Sequence, residues 1–303
     1  MNIVGKKSIW FGVSAVLFVI AVIAISIWGL KIGIDFKGGT LLELSFNKNI
    51  EAQDIRNSIS NLDFLSSLTV QKTGDSTVVI KTIPLSMDQE QKIRSVLNEK
   101  IGENQEIRME MVGPTVGNDL TKKAILAVIL ASIAIIIYIA WAFASIPKPS
   151  SSWRFGVCAI LALVHDIIIT IGAYAIFGHF LGYEVDSLFI TALLTVMGFS
   201  VHDTIVVFDR IRENLRRYPS KDFESNVNES IIQTLARSLN TSLTLIIVLL
   251  ALVTIGGGSI RQFIATLLVG VTIGTYSSIF NASLILVVWQ NQVNKKLQLK
   301  SSK

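Results

Sequence analysis

The sequence predicts a polytopic α-helical membrane protein: six transmembrane helices with one α+β domain of ferredoxin-like (βαββαβ) order outside the membrane. Three observations predict it. Of 303 residues, 51% are hydrophobic and only 16% are charged, the composition of a membrane protein. Six apolar stretches, at 8–30, 123–144, 155–177, 187–208, 239–255 and 263–289, are close to or beyond the roughly 20 residues a spanning helix needs. The long segment between the first and second reads β-α-β-β-α-β, the order of the split βαβ unit. The expected division is a tail and first span at 1–32, an outside domain at 33–121, five further spans at 122–292 with a cytoplasmic loop at about 209–237, and a basic tail at 293–303.

The first stretch follows Lys6-Lys7 and has the basic flank of a signal peptide. Its apolar run exceeds the usual core of about 7–15 residues and has no clear cleavage site, so it reads as an uncleaved anchor. Basic residues set the orientation. Lys6 and Lys7, Lys148 and Arg154, the group from Arg210 to Arg237, and Lys295, Lys296, Lys300 and Lys303 fall on one side, while the short opposite loops hold His179, Glu184 and Asp186, or only Arg261. Both termini are expected in the cytoplasm.

Gly33-Ile-Asp-Phe-Lys-Gly-Gly-Thr40, with Asp35, Gly38 and Gly39, reads as a turn into a strand; its glycines permit close backbone approach. It is not a phosphate loop, because no Gly-Lys-Ser/Thr follows. The outside domain is then a strand at 41–46, a helix at 50–62 with Ile55, Ile59 and Leu62 on one face, and strands at 68–72 and 77–83. Ser86 with Gln89 three residues on marks a capping box for a helix over 86–101, buried along Ile93, Val96, Leu97 and Ile101. A last strand at 107–112 follows. The domain has no Cys or His and reads as an interaction module. Gly113-Pro114-Thr-Val-Gly117 is the hinge back into the membrane.

Polar residues inside the spans carry the functional reading. The third span holds His165 and Asp166, the fourth Ser200, His202 and Asp203; Val-His-Asp-X-Ile occurs in both. An acid at the bilayer centre costs roughly 2.5–3.5 kcal/mol on insertion scales and is by default a functional site. Asp209, Arg210, Arg212 and Glu213 form a charged collar after the fourth span, suited to a cytoplasmic membrane edge. An amphipathic surface helix is expected at 227–235. The fifth span opens with Arg237, Asn240, Thr241 and Thr244 on one face, a stripe expected to point into the bundle because lipid cannot satisfy it; the competing reading for Arg237 is snorkelling to the headgroups. Gly256-Gly-Gly258 forms a turn, and Gly270, Gly274, Ser278 and Asn281 make a close-packing face on the sixth span. Cys158 is the only cysteine, so no intrachain disulfide forms and no cysteine metal site is indicated.

An acid balanced between desolvation, which favours its neutral form, and a nearby cation, which favours its ionised form, can take up a proton on one side and release it on the other. Asp203, with Arg237 and Asp166, fits that role. The competing reading is a static Asp–Arg pair that holds helices in register. A metal hydrolase built on the two His-Asp pairs is disfavoured, because neighbouring residues on a helix point about 100° apart. No metal and no cofactor are expected.

Gly33-Ile-Asp-Phe-Lys-Gly-Gly-Thr40, Val112-Gly-Pro-Thr-Val-Gly117, His165-Asp166, Asp203-Thr-Ile-Val-Val-Phe-Asp-Arg-Ile-Arg-Glu-Asn214 and Arg237-Ser-Leu-Asn-Thr-Ser-Leu-Thr244 together resemble the SecF family, over essentially the whole chain. The resemblance implies a relative of the resistance–nodulation–division transporters that works with SecD, here as a separate subunit because this chain stops at Lys303. It further implies association with the SecYEG channel, often with YajC, after SecA has driven early export. In such a protein the proton-motive force pulls or releases unfolded preproteins on the outer side of the bacterial cytoplasmic membrane. Asp203 and Arg237 would be the proton-path residues of this half, and SecD would supply the other acid; membrane lipid is a further expected partner of the chain, and nucleic acid is not. Sodium coupling, efflux of lipids or drugs, and a scaffold that does not transport are the alternatives.

Overall fold

The computed structural model describes residues 2–65, 67–143, 151–255 and 258–301. Most of the turn expected at 145–152, most of the Gly256-Gly-Gly258 turn and the last two tail residues lie outside the described residues. Among the described residues, six helices are long and apolar enough to cross a membrane. They are α1 (Lys7–Trp28), α5 (Pro114–Ala142), α6 (Ser152–Phe180), α7 (Ser187–Arg217), α8 (Phe223–Ile255) and a composite sixth. The sixth runs as α9 (Gly258–Tyr276), a π-helical segment (Ser277–Ala282) and α10 (Ser283–Ser301). Between α1 and α5 lie the short helix α2 (Ile34–Lys37), β1 (Gly39–Phe46), α3 (Ala52–Ile59), β2 (Thr69–Lys72), β3 (Thr77–Thr82), α4 (Met87–Lys100) and β4 (Asn104–Val112).

The four strands form one antiparallel sheet in the order β2-β3-β1-β4, the order of a split βαβ unit. Alternation sorts the side chains. Leu42, Leu44, Phe46, Val78 and Ile80 pack against Ile55 and Ile59 of α3 and Ile93 and Leu97 of α4. Leu41, Glu43, Val79 and Lys81 fall on the opposite face, which with the helix ends lines a cavity of about 600 Å³. α4 starts with the expected capping box: Ser86 accepts from the Gln89 N–H and Gln89 from the Ser86 N–H.

Four local expectations are corrected. Residues 34–37 form a helical turn rather than a plain turn into the strand. α3 is shorter than 50–62 and β4 begins three residues before 107. No separate surface helix exists at 227–235; those residues belong to the 33-residue α8. Val227 and Ile231 are buried in the main cluster with Phe208 and Val287, so this stretch packs on protein rather than on a membrane surface.

The two glycine motifs interlock. Gly38 and Gly39 have φ of +78° and +154°, conformations that side chains disfavour. Gly117, on the first turn of α5, lies so near α2 that a Cβ there would meet Phe36 O at 2.9 Å. Gly113 caps α5 and Pro114 opens it, where proline's missing N–H is tolerated. Gly33 donates to Val185 O at 2.8 Å and Val185 to Lys31 O at 2.7 Å. The entry to the sheet domain, its exit into α5 and the α6–α7 loop are thereby fastened together.

Candidate functional site

Inside the bundle, helices approach closely enough to bury polar groups. A Cβ on Gly270 would meet Val196 of α7, and one on Gly274 would meet Ser200 Cβ at 3.1 Å. This brings α7 and the sixth span together at the depth of the acids. Asp166 is fully buried and Asp203 is 2% exposed.

Asp166 has defined partners. Ser200 Oγ donates to its Oδ2 at 2.6 Å, and His165 Nδ1 lies 2.9 Å from its Oδ1. His165 Nε2 lies 3.3 Å from Asn281 Nδ2, and Ser14 of α1 donates to Asn281 Oδ1 at 2.7 Å. Four spans thus meet around one carboxylate. Asp203 sits among hydroxyls instead. Ser242 of α8 is its hydrogen-bond donor at 3.4 Å, and Thr275 Oγ1 donates to Ser242 at 2.7 Å. Thr204, one residue on, donates to Ser278, and Ser278 to Ser200 O, both at 2.8 Å. Among the described residues, no ion pair reaches Asp203.

The fifth-span expectation is corrected. Arg237, Asn240, Thr241 and Thr244 lie on the exposed face of α8, and Ser238 and Ser242 face inward. The polar residues of this helix occupy more than one face, and the inward one carries the small hydroxyls that let α8 approach α7 and α9. Arg237 forms no ion pair among the described residues. His202 is likewise exposed, whereas its neighbour Asp203 is buried. No group of three His, Cys, Asp or Glu side chains converges among the described residues; the two His-Asp pairs do not meet. Cys158 is buried and free.

The collar is tied locally. Arg210 pairs with Glu213 and Arg212 with Asp209, each one turn apart, while Asn214 donates to Ser230 at 2.8 Å. At the sheet end, Lys81 of β3 pairs with Glu184 at 3.0 Å and Gln71 of β2 donates to Gly182 O at 2.8 Å. Asp35 accepts from Ser187 N–H at 2.8 Å and Asp186 from Phe189 N–H at 2.7 Å, two acids at the N-terminus of α7 where its dipole favours them. Sequence reasoning missed Ser242, Thr275 and Ser14, and took Asn281 for packing. Their signal was a hydroxyl or amide inside an apolar span, repeated at one-turn spacing as in Ser238/Ser242 and Ser200/Thr204.

A six-span bundle with buried acids at one depth, clasped to a small sheet domain without a catalytic cluster among the described residues, defines a membrane transport component. Residues 92–292 match the family described as protein export membrane protein SecD/SecF, C-terminal, and residues 24–50 match the SecD/SecF GG motif. The protein translocase subunit SecF of Thermobaculum terrenum is 43% identical over 96% of this chain and 95% of its own length. That of Vibrio alginolyticus is 40% identical over 89% and 85%. The crystal structure of SecDF, a translocon-associated membrane protein from Thermus thermophilus, superposes with a TM-score of 0.84 at 33% identity. It is matched over 96% of this chain but only 39% of its own. The chain belongs to the SecF family of protein translocase subunits.

Proposed function

We propose that this chain works with a SecD partner to couple the proton-motive force to late steps of preprotein export, with Asp203 as the coupling acid. The observation that carries this reading is the environment of Asp203: a buried carboxylate at membrane depth with a long hydrogen bond from Ser242 and, among the described residues, no ion pair. Such a group can change charge without dismantling a salt bridge. Arg237 and Asp166 complete the set. Arg237, exposed on α8, is the cation offered to a partner helix, because an unpaired guanidinium in hydrocarbon is expensive. The SecDF chain of similar fold is matched over only 39% of its length, leaving room in such an assembly for the half that would supply the partner.

Moving one proton charge through 100 mV is worth about 2.3 kcal/mol, so a few per cycle suffice to shift the sheet domain. The Lys81–Glu184 pair and the glycine interlock are the route from spans to sheet. The basic flanks support a topology with both termini in the cytoplasm and the sheet domain outside a bacterial cytoplasmic membrane. There the chain would act beside the SecYEG channel and YajC, downstream of SecA, on unfolded preproteins. It is an ion-gradient-coupled component, not an enzyme.

The test is Asp203→Asn in cells lacking the native chain, with abundance and SecD pairing checked. Release of an exported protein at the outer face is measured with and without a proton gradient. Release should fall to the level seen without a gradient. Unchanged release and unchanged gradient dependence would make Asp203 structural and the chain a scaffold.

A further inference from the structure

His165 stands between Asp166 and Asn281, and the surrounding groups define where its proton sits. Tyr276 OH gives its hydrogen to Trp10 O at 2.7 Å, and Ser14 gives its own to Asn281 Oδ1 at 2.7 Å. The amide nitrogen of Asn281 therefore faces His165 Nε2, 3.3 Å away. An amide nitrogen only donates, so Nε2 carries the lone pair and the ring proton is on Nδ1, given to Asp166 at 2.9 Å. Ser200 donates to the other oxygen. In this pattern the ring carries one hydrogen, on Nδ1, and Asp166 accepts at both oxygens.

One added proton reverses it. A hydrogen on Nε2 would oppose the Asn281 N–H, so the amide must turn. Its Oδ1 then accepts from Nε2 and its Nδ2 donates to Ser14, whose hydrogen passes to Tyr276 OH, 3.2 Å away. One proton enters, shared between Asp166 Oδ1 and Nδ1 with the other ring hydrogen at Nε2, and no covalent bond between heavy atoms breaks. The groups facing the pair are Ser14 and Phe18 of α1, Ser200 of α7, and Tyr276, Ser277 and Asn281 of the sixth span. Asp203, near Ser200, is the buried acid of α7. α1 is the helix from which the sheet domain continues, through Gly29 and the Ile32–Val185 bridge.

We propose that Asn281 is a positioning residue that reads the protonation of the Asp166–His165 pair and passes it to α1, by turning its amide and switching the hydrogen bond of Ser14. The proposal rests on Asp166 belonging to the coupling set, and it gives that acid a role distinct from Asp203.

The test uses the chain reconstituted in liposomes with its SecD partner and with 15N-labelled histidine. The sequence holds three histidines, so His179→Gln and His202→Gln assign the His165 signals. At high pH the wild type should show a neutral His165 with its proton on Nδ1, and acidification should bring a hydrogen to Nε2. Asn281→Asp accepts from both Ser14 and the ring, and should place the hydrogen on Nε2 already at high pH and abolish the gradient-dependent part of release. Ser14→Ala frees the amide and should give mixed tautomers, which keeps the proposal testable if Asn281→Asp does not assemble. A wild-type proton on Nε2 at high pH, or a tautomer indifferent to both variants, overturns the proposal. Asp203→Asn should leave the tautomer as in the wild type, so a failure here and a failure of Asp203 coupling are told apart.

Discussion

Asp203 on α7 and Ser242 on α8 meet at 3.4 Å, whereas Ser200 reaches Asp166 at 2.6 Å. Two buried acids in one bundle are thus held differently. A short charge-assisted bond fixes its acceptor, and a long one leaves it free to exchange partners. Shortening or removing the Ser242 bond should change coupling without changing the fold. Ser242→Ala is expected to shift the pH dependence of gradient-driven release while melting within about 1 kcal/mol of wild type, the net worth of an ordinary hydrogen bond. Release measured across external pH checks it.

The clasp between the sheet and the spans predicts a double-mutant effect. Lys81 and Glu184 are mostly buried, with side chains 13% and 16% exposed. Removing one leaves the other desolvated and alone, so Lys81→Met should destabilise the clasp by about 3 kcal/mol. Adding Glu184→Leu should restore most of it. Hydrogen exchange of the α6–α7 loop in the reconstituted complex reads the docking directly.

Asp186 predicts a pH effect with a definite sign. Burial, aided by nearby Asp35, raises its pKa above the usual carboxylate value, against the Phe189 N–H and Lys81, which lower it. A carboxyl whose folded value is raised gains stability as pH falls through that value, and the gain is complete below the unfolded value of about 3.9. Asp186→Asn keeps an acceptor for the Phe189 N–H and removes the charge, so it should melt at or above wild type at pH 7 and lose that advantage in acid. Asp186→Ala should fall by about 1 kcal/mol through loss of the cap. Thermal melts at about pH 7 and at about pH 4, near the unfolded carboxylate value, distinguish the two.

Packing at the α7–α9 seam predicts a rescue. A Cβ on Gly270 would sit 2.2 Å from Val196 Cγ2, so Gly270→Ala should destabilise the bundle by about 1–3 kcal/mol. Val196→Ala in the same chain should recover it, because the obstacle is a side-chain methyl. Melting of the single and double variants in detergent is the measurement.

Much of this was legible in the chain, for identifiable reasons. Hydropathy over 20-residue windows marks spans without knowledge of their partners, and the Ser86–Gln89 box and the Ile93–Leu97 stripe are local signals. The direction of α8 was not legible. Arg237, Asn240 and Thr241 share one face and Ser238 and Ser242 another, and only the approach of α7 and α9 decides which is covered. The π-helical turn at Ser277–Ala282 was hidden for a similar reason. It shifts Asn281 relative to an α-helical register, so spacing arguments placed that residue with the packing glycines.

Proton movement itself tests the central claim most directly. The chain and its SecD partner are placed in liposomes with the translocation channel, and proton flux is followed with an internal pH dye while a preprotein is exported. The account predicts flux that rises with export in the wild type and is lost in Asp203→Asn, with complex assembly intact. Equal flux in both would contradict it.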